Sequence, residues 1–79
     1  MFIRNTRDLG EGIRQARRER GLTQAELAEW AGVRQALISD LETGNTQARL
    51  DTILTVLSAL ELDLMLAARH RDDFDPAAY

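Results

Sequence analysis

The stretch from Gly21 to Gly44, GLTQAELAEWAGVRQALISDLETG, decides the fold. Two short helical patterns flank Ala31-Gly32-Val33, a gap too short for anything but a tight turn. In the first, Thr23 and Glu26 have the T-x-x-E spacing of a capping box. The hydroxyl accepts the amide three residues on, and the carboxylate reaches back to the cap amide. Leu22, Leu27, Ala28 and Ala31 recur at helical spacing, and Gly32 supplies the positive φ needed to leave one helix at a steep angle to the next. The second pattern buries Val33, Ile38 and Leu41, and Gly44 closes it. Near its start it turns Arg34, Gln35, Ala36, Ser39 and Asp40 outward. A long fork, an amide and small residues at a helix N-terminus suit insertion into a major groove, so the stretch reads as a helix-turn-helix. Caps and glycines alone would fit an ordinary αα-hairpin. The combination points to DNA: Q-A-E-L-A, A-G-V three residues on, then R-Q-A-x-I-S and L-E-x-G.

Upstream, Leu9, Ile13 and Ala16 predict an amphipathic helix from about Arg7 to Arg20, with arginines on its remaining faces. Gly10 and Gly12 each weaken it by about 1 kcal/mol, a cost that close packing would explain. Gly21 ends it. Met1–Arg4 is a short apolar start, and Asn5-Thr6 is a turn and cap signal. Downstream, Asn45–Ala48 is a polar loop. Leu50, Ile53, Leu54, Leu57 and Leu60 then predict a helix over about Asp51–Leu60. Val56 falls off that stripe and is assigned to a subunit contact. After Glu61 the period drops to two, with Leu62, Leu64 and Leu66 alternating with Asp63, Met65 and Ala67, the pattern of a half-buried strand. A lone strand needs a partner. The economical arrangement is a small sheet at a two-fold axis, built from C-terminal strands with Phe2–Arg4 as the other candidate. Continuation of the last helix is the competing reading.

Residues 1–68 are thus expected to form one DNA-binding and dimerisation domain. Residues 69–79, RHRDDFDPAAY, are polar, acidic and Pro-interrupted, the composition of a disordered tail. Phe74 and Tyr79 there, and Trp30 off the Leu27 face, are candidate contacts for a partner.

The 79 residues make one small domain burying about 60% of its unfolded surface. With no cysteine there is no disulfide and no Cys-based metal site, which leaves oligomerisation as the route to further burial. No apolar run approaches a membrane span and no signal peptide opens the chain, which predicts a cytoplasmic protein. The net charge of −3 hides an asymmetry. Residues 1–34 carry seven arginines against five carboxylates, and residues 35–79 carry three against eight. A basic half can face phosphate while an acidic half faces something else.

The Gly21–Gly44 stretch resembles the helix-turn-helix of phage-repressor and Cro-type (Xre) regulators, and the closing LSALELDLML narrows the resemblance to HipB-type antitoxins, partners of HipA-type serine/threonine kinase toxins. It covers about residues 5–67. The resemblance implies an all-α, repressor-like bundle of four to five helices whose C-terminal strands pair across a dimer. It also implies binding to a palindromic operator of the protein's own operon, together with a HipA-type kinase. In that pattern Gln24 touches phosphate and Gln35 contacts adenine bidentately, a pairing that amide geometry supports on its own. Arg34, Ala36 and Ser39 fall on positions that vary with operator sequence. Arg34 suits guanine O6/N7, or else phosphate or solvent, and Ala36 suits a thymine methyl. Asn45 and Thr46 are further DNA-contact candidates; Asn45 stands where many relatives place Lys, so one phosphate contact is lost or replaced by an amide. Leu37 replaces a common hydroxyl residue and meets a thymine methyl or simply packs. Glu42 is expected to pair with Arg17 in a buried, structural bridge.

An enzyme is not expected. There is one His, no Cys, and no Ser beside a plausible base. His70 near Asp72, Asp73 and Asp75 reads as a solvated charge run rather than a metal site, and no cofactor is implied. Two other readings stand beside the antitoxin: a stand-alone Xre-type regulator without a toxin, and a protein-interaction module using Trp30 and the acidic half.

Overall fold

Side-chain caps start two of the four helices, and a left-handed residue follows all four. A computed structural model describes residues 1–69, which form α1 (Thr6–Glu19), α2 (Gln24–Ala31), α3 (Gln35–Thr43) and α4 (Leu50–Ala59). The tail reading, with His70, Phe74 and Tyr79, lies outside the described residues. Asn5 caps α1 by accepting the Asp8 amide at 2.8 Å. Thr23 caps α2 through both halves of the box: its hydroxyl accepts from Glu26 N at 3.1 Å, and its own amide donates to Glu26 Oε1 at 3.0 Å. These bonds, the backbone one first, hold the Glu26 carboxyl below its ordinary value of 4.5. A lowered folded-state value means stability that is present above 4.5 and lost as pH falls through the folded value. Through loss of the hydroxyl cap on the Glu26 amide, Thr23→Ala is expected to cost about 1 kcal/mol at neutral pH. The Thr23 amide still reaches Glu26 in that variant, so the pH dependence is read from Glu26→Gln: in thermal melts its gap to the parent should narrow at acid pH, and a constant gap would mean that the Glu26 charge takes no part.

All four helices end the same way. An amide reaches back five residues to a helical carbonyl: Leu22 to Arg17, Val33 to Ala28, Asn45 to Asp40 and Leu62 to Leu57. This closure requires a left-handed residue just before the donor. Gly21, Gly32 and Gly44 supply it three times, and Glu61 (φ 57°) supplies it after α4.

The core consists of Ile13, Leu22, Leu27, Ala28, Ile38, Leu41, Val56, Leu57 and Leu60, with Leu9, Ala16, Val33, Leu37 and Ile53 packed around it. α3 lies against α1 and α2, and α2 also packs on α4. Leu37 thus belongs to the packing. At the α1–α3 crossing the backbones nearly touch. A Cβ on Gly10 would fall on the Leu41 carbonyl oxygen, and the Thr6 hydroxyl donates to the Gly44 carbonyl at 2.9 Å.

Three expectations are corrected. Val56 is fully buried within its own chain and is unavailable to a partner subunit. α4 holds two overlapping stripes, and the one that turns inward is Ile53, Val56, Leu57 and Leu60, which leaves Leu50 and Leu54 exposed. Residues 62–69 form neither strand nor helix. Glu61 turns the chain off the helix axis, and a strand in one copy has no edge to pair with. Met1–Arg4 and Asp63–Arg69 instead face each other across a cavity of about 420 Å³. No helix among the described residues is long and apolar enough to cross a membrane.

Candidate nucleic-acid interface

α3 is nine residues long, about 13 Å at 1.5 Å per residue, and a helix about 10–12 Å across with its side chains fits the width of a major groove. Arg34 is its N-cap, in extended backbone (ψ 147°) and without a side-chain cap bond, so the guanidinium is free to project from the helix start. Gln35 and Ala36 are exposed, and Ser39 is half-buried one turn on. These are the short and forked groups a groove-reading helix presents first. Asp40 is also exposed on α3.

The other candidates lie at the start of α2 and in the loop after α3. Gln24 is the first residue of α2 and half-buried. Asn45 is exposed in the loop after α3, and Thr46 is half-buried with its hydroxyl oxygen accepting the Ala48 amide at 3.0 Å. Asn5, Thr6 and Arg7 from the start of α1 join Thr43, Gly44 and Asn45 in one polar cleft. Sequence reasoning missed Arg7 as a neighbour of Asn45, because 38 residues separate them and only the α1–α3 crossing brings them together. Of the remaining α1 arginines, Arg14 and Arg18 lie with Glu11 and Glu19 on an outer face. Arg20 pairs with Glu61 at 3.2 Å.

Between α1 and α3, Arg17 and Glu42 form a buried two-point bridge. Nε donates to Oε2 at 2.6 Å and Nη2 to Oε1 at 3.0 Å, while Nη1 donates to the Leu22 carbonyl at 2.8 Å. The Glu42 hydrogen bonds hold the Arg17 guanidinium above its ordinary value, against an opposing effect of burial. Gln24 adds a further donor, Nε2 to Glu42 Oε1 at 3.3 Å, which no spacing rule in the sequence indicates. No buried side-chain polar atom among the described residues lacks a partner.

Away from this face the surface is apolar in two places. Trp30, 60% exposed, lies with Leu54, Thr55 and Ser58 in a shallow depression between α2 and α4. Leu64 and Leu66 are exposed beside Met1, Phe2 and Ile3, and Leu62 is exposed just before them in the chain. Among the described residues no three His, Cys, Asp or Glu side chains gather as a metal site.

A helix-turn-helix family model, HTH_3, matches residues 13–65. The antitoxin HipB of Escherichia coli K12 is 36% identical over 58 residues, which is 73% of this chain and 66% of that protein. The HipB of Escherichia coli strain CFT073 is likewise 36% identical, with 62% of its length covered, so the chain spans under two thirds of these antitoxins. An uncharacterised HTH-type transcriptional regulator of Sinorhizobium fredii, y4mF, is 37% identical over 87% of this chain and 93% of its own length. Among solved structures, the HipA–HipB–O2–O3 complex contains a chain that superposes with a TM-score of 0.80 at 31% identity, covering 89% of this chain and 99% of that one. The complex of HipB with an O4 20mer gives 0.80 at 31% identity, over 89% and 99% of the two chains.

Proposed function

The chain belongs to the HTH_3 helix-turn-helix family, and from that footing we propose that it is a sequence-specific DNA-binding repressor, a cytoplasmic antitoxin that autoregulates its operon and binds a HipA-type kinase toxin. The observation that carries the DNA reading is the start of α3, where Arg34, Gln35 and Ala36 stand exposed at the end of a helix held from behind by α1 and α2. Support for the antitoxin reading comes from the HipB relatives and from the fit to HipB chains in complex with HipA and with the O4 20mer. The protein acts as a homodimer on a palindromic operator, with half-sites about 34 Å apart. Leu62, Leu64 and Leu66, exposed in one copy, are the surface that a second copy covers. Trp30 is the candidate contact for the toxin. Arg34 and Gln35 read base edges, Ala36 and Ser39 border them, and Gln24, Asn45 and Thr46 meet the backbone.

Fluorescence anisotropy on DNA from upstream of the gene, against scrambled DNA at two salt concentrations, tests the proposal. Selective binding of two chains per site supports it; equal, weak, salt-sensitive binding to both would remove it. Gln35→Ala is expected to cost about 1–3 kcal/mol of binding and to relax preference at one base position. Gln35→Ala binding like the parent would mean that α3 is not the reading helix. The relative y4mF, covered over 93% of its length, favours a second reading: a transcriptional regulator with no toxin. Capture of a HipA-type kinase by the purified protein separates the two.

A further inference from the structure

We propose that Glu42 is a positioning residue for DNA binding, locking the carboxamide of Gln24 into one orientation before DNA arrives; this rests on the reading that Gln24 meets the DNA backbone. Glu42 is already satisfied by Arg17, whose Nε and Nη2 occupy both carboxylate oxygens at 2.6 and 3.0 Å. The bond from Gln24 Nε2 to Oε1, at 3.3 Å, is therefore not needed to solvate Glu42. Its consequence falls on Gln24.

A carboxamide has two nearly isosteric faces, and only its N–H face is attracted to a carboxylate. Against Glu42 the nitrogen turns inward, and a side chain with several free torsions settles in one well. One N–H remains to donate to a phosphate oxygen. Arg17 reinforces the arrangement from the other side: its Nη1 holds the Leu22 carbonyl, two residues before Gln24. The buried pair thus ties the start of α2 to α3, the helix that carries Gln35. Without Glu42, Gln24 would have to be ordered by DNA, at a cost in affinity.

The test is a double-mutant cycle on binding, measured with a duplex selected from a random-sequence pool, at a temperature where melts show every variant folded. Gln24→Ala is expected to lose about tenfold or more in affinity, as for a hydrogen bond to a charged group. Glu42→Gln should lose most of that, and the double variant should bind no more weakly than Gln24→Ala. Losses that multiply would overturn the proposal. Should Glu42→Gln fail to fold, side-chain amide NMR of the unliganded parent decides. The Gln24 NH₂ should then be ordered and slow to exchange, in contrast to that of exposed Gln35; equal mobility would overturn the proposal. Gln24→Ala binding like the parent would instead remove the phosphate contact itself, and the inference with it, even if the amide is ordered.

Discussion

Glu42→Ala is expected to lower the unfolding free energy by about 3–5 kcal/mol, because it leaves a buried guanidinium with the Leu22 carbonyl as its remaining partner. The Glu42 side chain is 3% exposed and that of Arg17 10%, so water cannot replace the lost carboxylate without opening the α1–α3 contact. For a domain of this size, the melting temperature should fall by more than about 10 °C. The same physics predicts a partial reversal. Replacing both partners by apolar residues of similar volume, Arg17→Met with Glu42→Leu, should recover much of the loss, since desolvating two charges cancels most of what the pair contributes. A single variant melting within about 1 kcal/mol of the parent would show that Arg17 finds other partners; a double variant no better than the single would show that the pair stabilises outright.

Gly10→Ala is the second large effect. A methyl at that position would collide with the Leu41 carbonyl oxygen and come within 2.8 Å of the Glu42 carbonyl oxygen. Both obstacles are backbone, so no rotamer change relieves them, and α1 must withdraw from α3. Overpacking of this kind costs about 1–3 kcal/mol and occasionally more, which outweighs the gain of about 1 kcal/mol that alanine brings to a helix interior. Gly12, two residues on, is the control. A methyl there would meet the flexible Met1 Sδ at 3.3 Å and stop short of any backbone. Gly12→Ala should therefore stabilise by up to about 1 kcal/mol. Urea melts of the two variants that moved in the same direction would refute the asymmetry. A loosened α1–α3 crossing also shifts Glu42, so Gly10→Ala should weaken DNA binding along with stability.

These two predictions lie at different distances from the sequence. The Arg17–Glu42 pair was reachable only through resemblance, since nothing in a 25-residue separation announces an ion pair. Gly10 and Gly12 look alike in the sequence, two helix-weakening residues in one helix, and only the position of α3 tells them apart. Among the candidate contact residues, Arg34, Gln35 and Ala36 could be named because Gly32 locates the start of the second motif helix, whereas Gln24 was named through the resemblance. Arg7 beside Asn45, and the Gln24–Glu42 bond, could not.

The sequence by itself determined where α1 and α2 begin and where α1, α2 and α3 end, because side-chain caps, closing glycines and apolar period act between residues three to five apart. It determined the helix-turn-helix on the same grounds. The tertiary structure decided what depends on the opposite surface. α4 carries both a Leu50–Ile53–Leu54–Leu57 and an Ile53–Val56–Leu57–Leu60 stripe, and the packing of the bundle, α2 included, buries the second. It decided that Glu61 takes the left-handed turn usually given to glycine, swinging residues 62–69 away from the helix axis. Their strand-like alternation describes a surface that one chain cannot complete, because hydrogen bonds of a strand belong to its neighbour as much as to itself.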